Sequence, residues 1–201
     1  LSRMADGEFA LQDLTWEIVN NMNMGLELGF LNGMIDLQLD YFDERRKDIF
    51  MPRESVPMTA GFMKQPWKNF GKVTNQGVEV SLNVNKQFGK DLFVSLMGTF
   101  TYAHNEITEK DEPSAVVGTN RAETGHPVGQ LTGYIAEGLF TEDDFEDVST
   151  GKLKEGIPTQ SFVSKLRPGD IRYRDVNGDG KVDVFDKSPI GGTKDPEIVY
   201  G

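Results

Sequence analysis

Val78-Glu79-Val80-Ser81-Leu82-Asn83-Val84-Asn85 alternates without a break between an aliphatic and a polar residue. A β-strand points successive side chains to opposite faces, so period two gives this segment one greasy side and one wet side. Three more stretches follow the same rule. Met22, Met24, Leu26, Leu28 and Phe30 interleave with Asn21, Asn23, Gly25, Glu27 and Gly29. Ile35, Leu37, Leu39 and Tyr41 interleave with Asp36, Gln38 and Asp40. Leu92, Val94, Leu96, Phe100 and Tyr102 face Ser95, Thr99 and Thr101, with Phe93 and Met97 as two apolar intruders on the polar side. The helical period fits none of them as well, and Gly, Asn and Thr are too frequent for helices.

The connections divide into short and long. Asn32-Gly33 joins the first two strands and readily adopts the positive φ of a tight hairpin, while Gln87-Phe88-Gly89-Lys90 joins the last two. Between the second and third strands the chain runs from about Asp43 to Gln76, and after His104 almost to the end, with no further clean strand. Short turns on one side and long loops on the other are the habit of a bacterial outer-membrane barrel, whose long loops lie outside. The expected fold is therefore all-β: about four antiparallel strands of a large transmembrane β-barrel, with long extracellular loops. A soluble two-sheet sandwich is the competing architecture. On the barrel reading, residues 1–104 carry the strands and one outside loop at about 43–76. Residues 105–201 form a long acidic outside loop leading into the next strand. Asn21, Asn23, Glu27, Asp36, Gln38, Asp40, Glu79 and Asn83 then face the lumen. Trp16, Tyr41, Phe100 and Tyr102 form an outer aromatic level, and Phe30 and Phe88 an inner one.

Composition narrows the function. The 201 residues carry a net charge of −11, most of the excess acid falling after His104, so a nucleic-acid partner is disfavoured. There is no cysteine, which removes thiol chemistry, disulfides and Cys-ligated metals. No apolar run approaches the roughly 20 residues of a spanning helix, though barrel strands escape that test. The chain opens on Leu1 and stops at Tyr200-Gly201 as a new apolar segment begins, so it is expected to be a piece of a longer protein, and missing targeting signals carry no weight.

Asp175-Val176-Asn177-Gly178-Asp179-Gly180-Lys181-Val182-Asp183-Val184-Phe185-Asp186 has the spacing of a calcium loop. Asp175, Asn177 and Asp179 take positions 1, 3 and 5, Gly180 the sharp turn, Lys181 the carbonyl position, Asp183 position 9 and Asp186 position 12. A structural Ca²⁺ is the cofactor this spacing suggests. The same residues also suit a metal-free loop of Asx turns, in which Asn177 and Asp179 bond their own backbone. Glu142, Asp143, Asp144, Glu146 and Asp147 could form a second cation site or a glycosidase-like acid pair, or a solvated acidic face. Two histidines, His104 and His126, offer no zinc spacing, and no phosphate loop or nucleophile elbow is present, so nothing marks a catalytic residue. Trp67 and Phe70, with Tyr134, Phe140 and Phe145, lie in the expected loops, where rings either stack on a ligand or pack on neighbouring loops; Trp67, Phe70 and Tyr134 are the ligand-contact candidates.

Several passages resemble one family. Leu14-Thr15-Trp16-Glu17 and Phe70-Gly71-Lys72-Val73-Thr74-Asn75-Gln76-Gly77-Val78-Glu79 are similar to passages of SusC/RagA-type TonB-linked outer-membrane proteins. Gly125-His126-Pro127-Val128-Gly129, Gly133-Tyr134-Ile135-Ala136-Glu137-Gly138-Leu139-Phe140 and the run from Gly169 to Gly180 resemble that family's late extracellular loop, in matching order. The resemblance implies a plugged barrel of about 22 strands in the outer membrane of a Gram-negative bacterium, in contact with lipid. It also implies import of oligosaccharides or peptides with a SusD-like surface lipoprotein, driven by the TonB complex through an N-terminal region absent here. A soluble calcium-stabilised carbohydrate-binding β-module is the alternative function.

Overall fold

A computed structural model describes residues 14–57 and 64–201. Five strands form one sheet: β1 (Ile18–Phe30), β2 (Ile35–Pro52), β3 (Trp67–Phe88), β4 (Leu92–Glu109) and, after the long connection, β13 (Ile198–Tyr200). Their order in the sheet is β1-β2-β3-β4-β13 and every neighbouring pair is antiparallel. This is a meander, with β1 and β13 at its two edges.

The turns fix the register. Leu31, Asn32 and Gly33 all adopt positive φ, at 54°, 56° and 79°, and close β1 onto β2 so that Phe30 faces Ile35. Gly89, at φ 66°, closes β3 onto β4 so that Phe88 faces Leu92. Register matters because a slip of one residue would send every greasy side chain to the wet face.

The strands run well past the alternating stretches. β2 continues to Pro52 and β3 begins at Trp67, so the expected loop at 43–76 is largely paired strand, and the connection is confined to residues 53–66. Residues 58–63 of that expected loop, like residues 1–13 of the expected strand region, lie outside the described residues. β4 likewise extends to Glu109, so a boundary at 104 falls inside a strand. The physical reason is simple: beyond the bilayer no face must be greasy, so the backbone ladder continues while hydrophobic alternation stops. A bulge at Lys47-Asp48, where Asp48 has φ 59°, interrupts the β2–β3 ladder in this outer stretch.

The chain divides into two compact units. The first comprises 1–114, 123–129 and 193–201, and contains the sheet. The second comprises 115–122 and 130–192. It holds β5 (Gln130–Gly133), β6 (Ala136–Leu139), β7 (Phe145–Asp147), β8 (Lys152–Leu153), β9 (Thr159–Gln160), β10 (Ile171–Tyr173), β11 (Lys181–Val182) and most of β12 (Ser188–Thr193). These strands pair two by two, β6 with β10, β7 with β8, β9 with β11 and β5 with β12. Phe140, Phe145, Leu153 and Leu166 form its core, with Ile157 and Val163 packed against them. The stretch expected to be one long loop thus has a hydrophobic core of its own.

Candidate functional site

Cross-strand pairing gathers the alternating residues into continuous rows. Met24, Tyr41, Val78, Tyr102 and Ile198 form one row across all five strands. Leu26, Leu39, Val80, Phe100 and Tyr200 form the next, then Leu28, Leu37, Leu82 and Gly98, then Phe30, Ile35, Val84 and Leu96. All of them share one face. That face is exposed: Leu26 is 51%, Leu96 63% and Val78 39% accessible, values a sandwich core would not allow. From Val78 to Phe88 the strand advances about 34 Å, which at a tilt of about 40° gives a band about 26 Å high, the height of the apolar belt of a membrane barrel. The row outward of Tyr102 turns polar, to Asp43, Gln76 and His104 beside Met22.

The opposite face is wet along the same span. Glu27, Gln38, Ser81 and Thr99 make one row. Gly25, Asp40, Glu79 and Thr101 make the row above it, and Gly29, Asp36, Asn83 and Met97 the row below. Gln38 Nε2 donates to Asp40 Oδ2 at 2.9 Å, and Asp40 leans over Gly25, where a Cβ would lie 2.7 Å from its Oδ1. Glu27, Asp36, Gln38, Ser81 and Asn83 line one recess on this face. Asn21 and Asn23 continue it toward the outer end, opposite Glu44 and Phe42. All eight residues expected to face the lumen share this side of the sheet. Sequence reasoning missed Phe42 and Gly77: the Phe42 ring lies over Gly77, where a Cβ would sit 2.6 Å from the ring and 2.2 Å from the Tyr102 carbonyl oxygen. A glycine at a strand position pointing to the wet face was the available signal.

Outward of the band, polar side chains tie the strand ends together. The Asn69 side chain imitates a strand residue, accepting from Thr15 N at 3.0 Å and donating to the Thr15 and Asp48 carbonyls at 2.9 and 2.8 Å. Glu17 accepts from Phe50 N at 3.3 Å. The Leu14–Glu17 passage is therefore a latch that carries β1 past the β2 bulge. Asp111, buried, accepts from Arg53 Nε at 2.9 Å, Ser55 Oγ at 3.0 Å and Ser55 N at 3.2 Å. Burial pushes its carboxyl up, but the bonds from Ser55 and Arg53 outweigh that and hold it below the usual 3.8. Trp67 and Phe70 belong to this region rather than to a free loop. Trp67 pairs with Pro52 and its ring lies 5.1 Å from that of Phe50, while the Arg53 guanidinium sits 5.5 Å over Phe70.

In the second unit, Tyr134 stacks on Phe162 at 4.8 Å and meets Tyr173 at 5.5 Å, with Lys187 Nζ 5.7 Å over its ring. Phe140 and Phe145, 2% and 4% accessible, are core rather than exposed platforms. Two of the acids at 142–147 serve local turns, and Glu146 pairs with Lys152. Asp144 accepts from Thr141 N at 2.6 Å and Thr141 Oγ1 at 2.9 Å, bonds that lower its pKa. Asp147 accepts from Ser149 Oγ and N at 2.6 and 2.8 Å.

The 175–186 loop closes on itself. Asp175 accepts from Gly178 N and Gly180 N, both at 2.7 Å, and Asn177 Oδ1 accepts from Asp179 N at 2.9 Å. Asp179 accepts from Lys181 N at 2.9 Å, and Asp183 from Phe185 N at 2.9 Å and Lys181 Nζ at 3.1 Å. Asp186 is fully buried: Oδ1 accepts from Val176 N at 2.8 Å and Asn177 N at 3.3 Å, and Oδ2 from Asp183 N at 2.7 Å. Among the described residues no three carboxylates or histidines converge on a cation position. Of the six residues spaced for calcium, the position-12 carboxylate of Asp186 accepts three backbone amides.

A single-layer sheet with a greasy band of bilayer height on one side and carboxylates and amides on the other defines a section of transmembrane β-barrel wall. Residues 3–189 match the family model described as TonB dependent receptor-like, beta-barrel, and the chain belongs to that family. It is 29% identical over 177 residues to the TonB-dependent receptor SusC of Bacteroides thetaiotaomicron, covering 88% of this chain and 17% of that protein. It is 24% identical over 195 residues to TonB-dependent receptor P3 of Formosa agariphila, covering 92% and 18%. Among solved structures, the RagAB peptide importer in its open-open state superposes with a TM-score of 0.62 at 22% identity, covering 96% of this chain and 19% of that one. The chain spans less than a fifth of the length of these two curated relatives.

Proposed function

We propose that this chain is part of the wall and outer surface of a TonB-dependent importer in the outer membrane of a Gram-negative bacterium. The register carries this reading: it lays every greasy row on one exposed face and Glu27, Asp36, Gln38, Asp40, Glu79 and Asn83 on the other. Lipid covers the first face and the second lines the route of an entering nutrient. The nutrient is an oligosaccharide or a peptide; the peptide importer among the structural neighbours supports the latter, and the polar wall suits either. A SusD-like surface lipoprotein covers the outer end, and the TonB complex supplies energy through other parts of the receptor. The wall and loops bind and guide without catalysing: Asp144 and Asp147 accept hydrogen bonds within their own turns. Asp186 ties the start of the 175–186 loop to its end.

Uptake of labelled oligosaccharides and peptides by cells with and without the intact receptor tests this. Uptake that needs the receptor and stops when a protonophore collapses the inner-membrane gradient is the expected result. Receptor-independent uptake of both classes would overturn it.

A further inference from the structure

One cation stands on the greasy face. Lys86 continues the side of β3 that carries Val78, Val80, Leu82 and Val84 and ends at Phe88, and across the ladder it pairs with Val94. From the Tyr102 row to Phe88 it is the single charged residue on that face among the described residues of the five strands. Lys86 is exposed, and Val94, Phe88 and Leu92 beside it are exposed too. On its other flank the β1–β2 turn ends level with Asn85, whose amide donates to the Met34 carbonyl at 2.7 Å, and Leu31, Asn32, Gly33 and Met34 bring no acid there. Among the described residues no carboxylate pairs with Lys86, and the nearest acid along the chain, Asp91, sits in the β3–β4 turn beyond Phe88.

An ammonium without a counter-ion on a hydrocarbon-facing strand is tolerated only where its stem carries the charge to a polar layer. Lys86 lies two residues from Phe88, so its Cα is about 5 Å inside the inner edge of the band once the strand tilt is allowed for, within reach of its four-carbon stem. The wet face is closed to it, because the paired backbones of β3 and β4 stand between. At that edge, on the lipid side, lies the headgroup layer of the leaflet beside the short turns, and the group of opposite charge in that layer is phosphate. We propose that Lys86, flanked by Val94 and Phe88, binds the phosphate of a phospholipid in the inner leaflet and so fixes the depth of this hairpin in the membrane. This rests on the barrel reading above and adds which lipid group is held, and by which residue.

The test compares urea titrations of the intact receptor refolded into vesicles of phosphatidylglycerol and into vesicles of digalactosyldiacylglycerol, a lipid without phosphate. Lys86→Gln is expected to lower the folding equilibrium about fivefold in the first and less than about twofold in the second, while Lys86→Arg stays within about twofold in both. An equal loss in the two lipids, or none in either, overturns the phosphate contact. So does inorganic phosphate that brings the same gap to the digalactosyl vesicles, since the ligand is then a free anion. The photoreactive residue p-benzoylphenylalanine in place of Leu82 separates this contact from the barrel reading. A lipid adduct there with no lipid-dependent loss at Lys86 removes the phosphate contact alone, and protein crosslinks there without a lipid adduct remove both.

Discussion

Replacing Leu82 by arginine puts a charge into the greasy band at nearly its mid-height. Leu82 lies four residues from the Val78 aromatic row and six from Phe88, so it sits within about 3 Å of the midplane once the strand tilt is allowed for. An arginine there costs about 2–4 kcal/mol, falling to about 0–1 kcal/mol near either interface. Ser81, the next residue, points to the wet face in the row of Glu27, Gln38 and Thr99, where an arginine meets a carboxylate and water. Urea titration of the intact receptor refolded into lipid vesicles would measure both. Leu82→Arg should lower the folding equilibrium about 30- to 1000-fold, Ser81→Arg should leave it within a few-fold, and Val78→Arg should lie between them. If Ser81→Arg costs as much as Leu82→Arg, the two faces are assigned wrongly and the membrane reading falls.

Gly77→Ala would set a methyl 2.2 Å from the Tyr102 carbonyl oxygen, which belongs to backbone and cannot swing away, so a loss of about 1–3 kcal/mol is expected in the same titration. Asp111→Asn removes the charge that Arg53 and Ser55 bind, and hydrogen-exchange protection at the Ser55 amide should fall by about 10- to 100-fold; no change would show the tether to be incidental. The Asp111 carboxyl sits below its ordinary value in the folded chain, so its contribution is present above pH about 4 and is lost as pH falls through the lowered value, and Ser55 protection factors measured across that window should follow. Because Asp186 already holds three amides, millimolar Ca²⁺ or EDTA should leave the melting temperature of the intact receptor unchanged, whereas Asp186→Asn should lower its stability by about 1–3 kcal/mol; a calcium-dependent rise would show that the ion draws Asp186 off those amides.

The sequence was legible where the bilayer forces a choice. Between Met24 and Phe30, Ile35 and Tyr41, Val78 and Val84, and Leu92 and Tyr102, lipid on one side and water on the other demand alternation, and the strands are where it occurs. Beyond the Tyr102 row the demand lapses. Asp43, Glu44, Arg45 and Arg46 of β2 are polar on both faces, and Arg45 pairs with Asp43 while Arg46 pairs with Glu44, each two residues along and on its own side. Nothing in residue type separates such a strand from a loop; the ladders to β1 and β3 do.

The 175–186 loop was illegible for a different reason. A calcium loop and an Asx-turned loop draw on the same residues, because both need carboxylates and amides at alternate positions and glycine at the sharp bend. A glutamate at position 12 reaches into the centre of the loop. Asp186 is one methylene shorter, and it is placed one 3₁₀ turn after Asp183, whose own carboxylate caps Phe185 N. From there its oxygens meet the amides of Val176, Asn177 and Asp183 before any central position. Asp186 thus fastens the start of the loop to its end, and its complete burial makes that fastening costly to break.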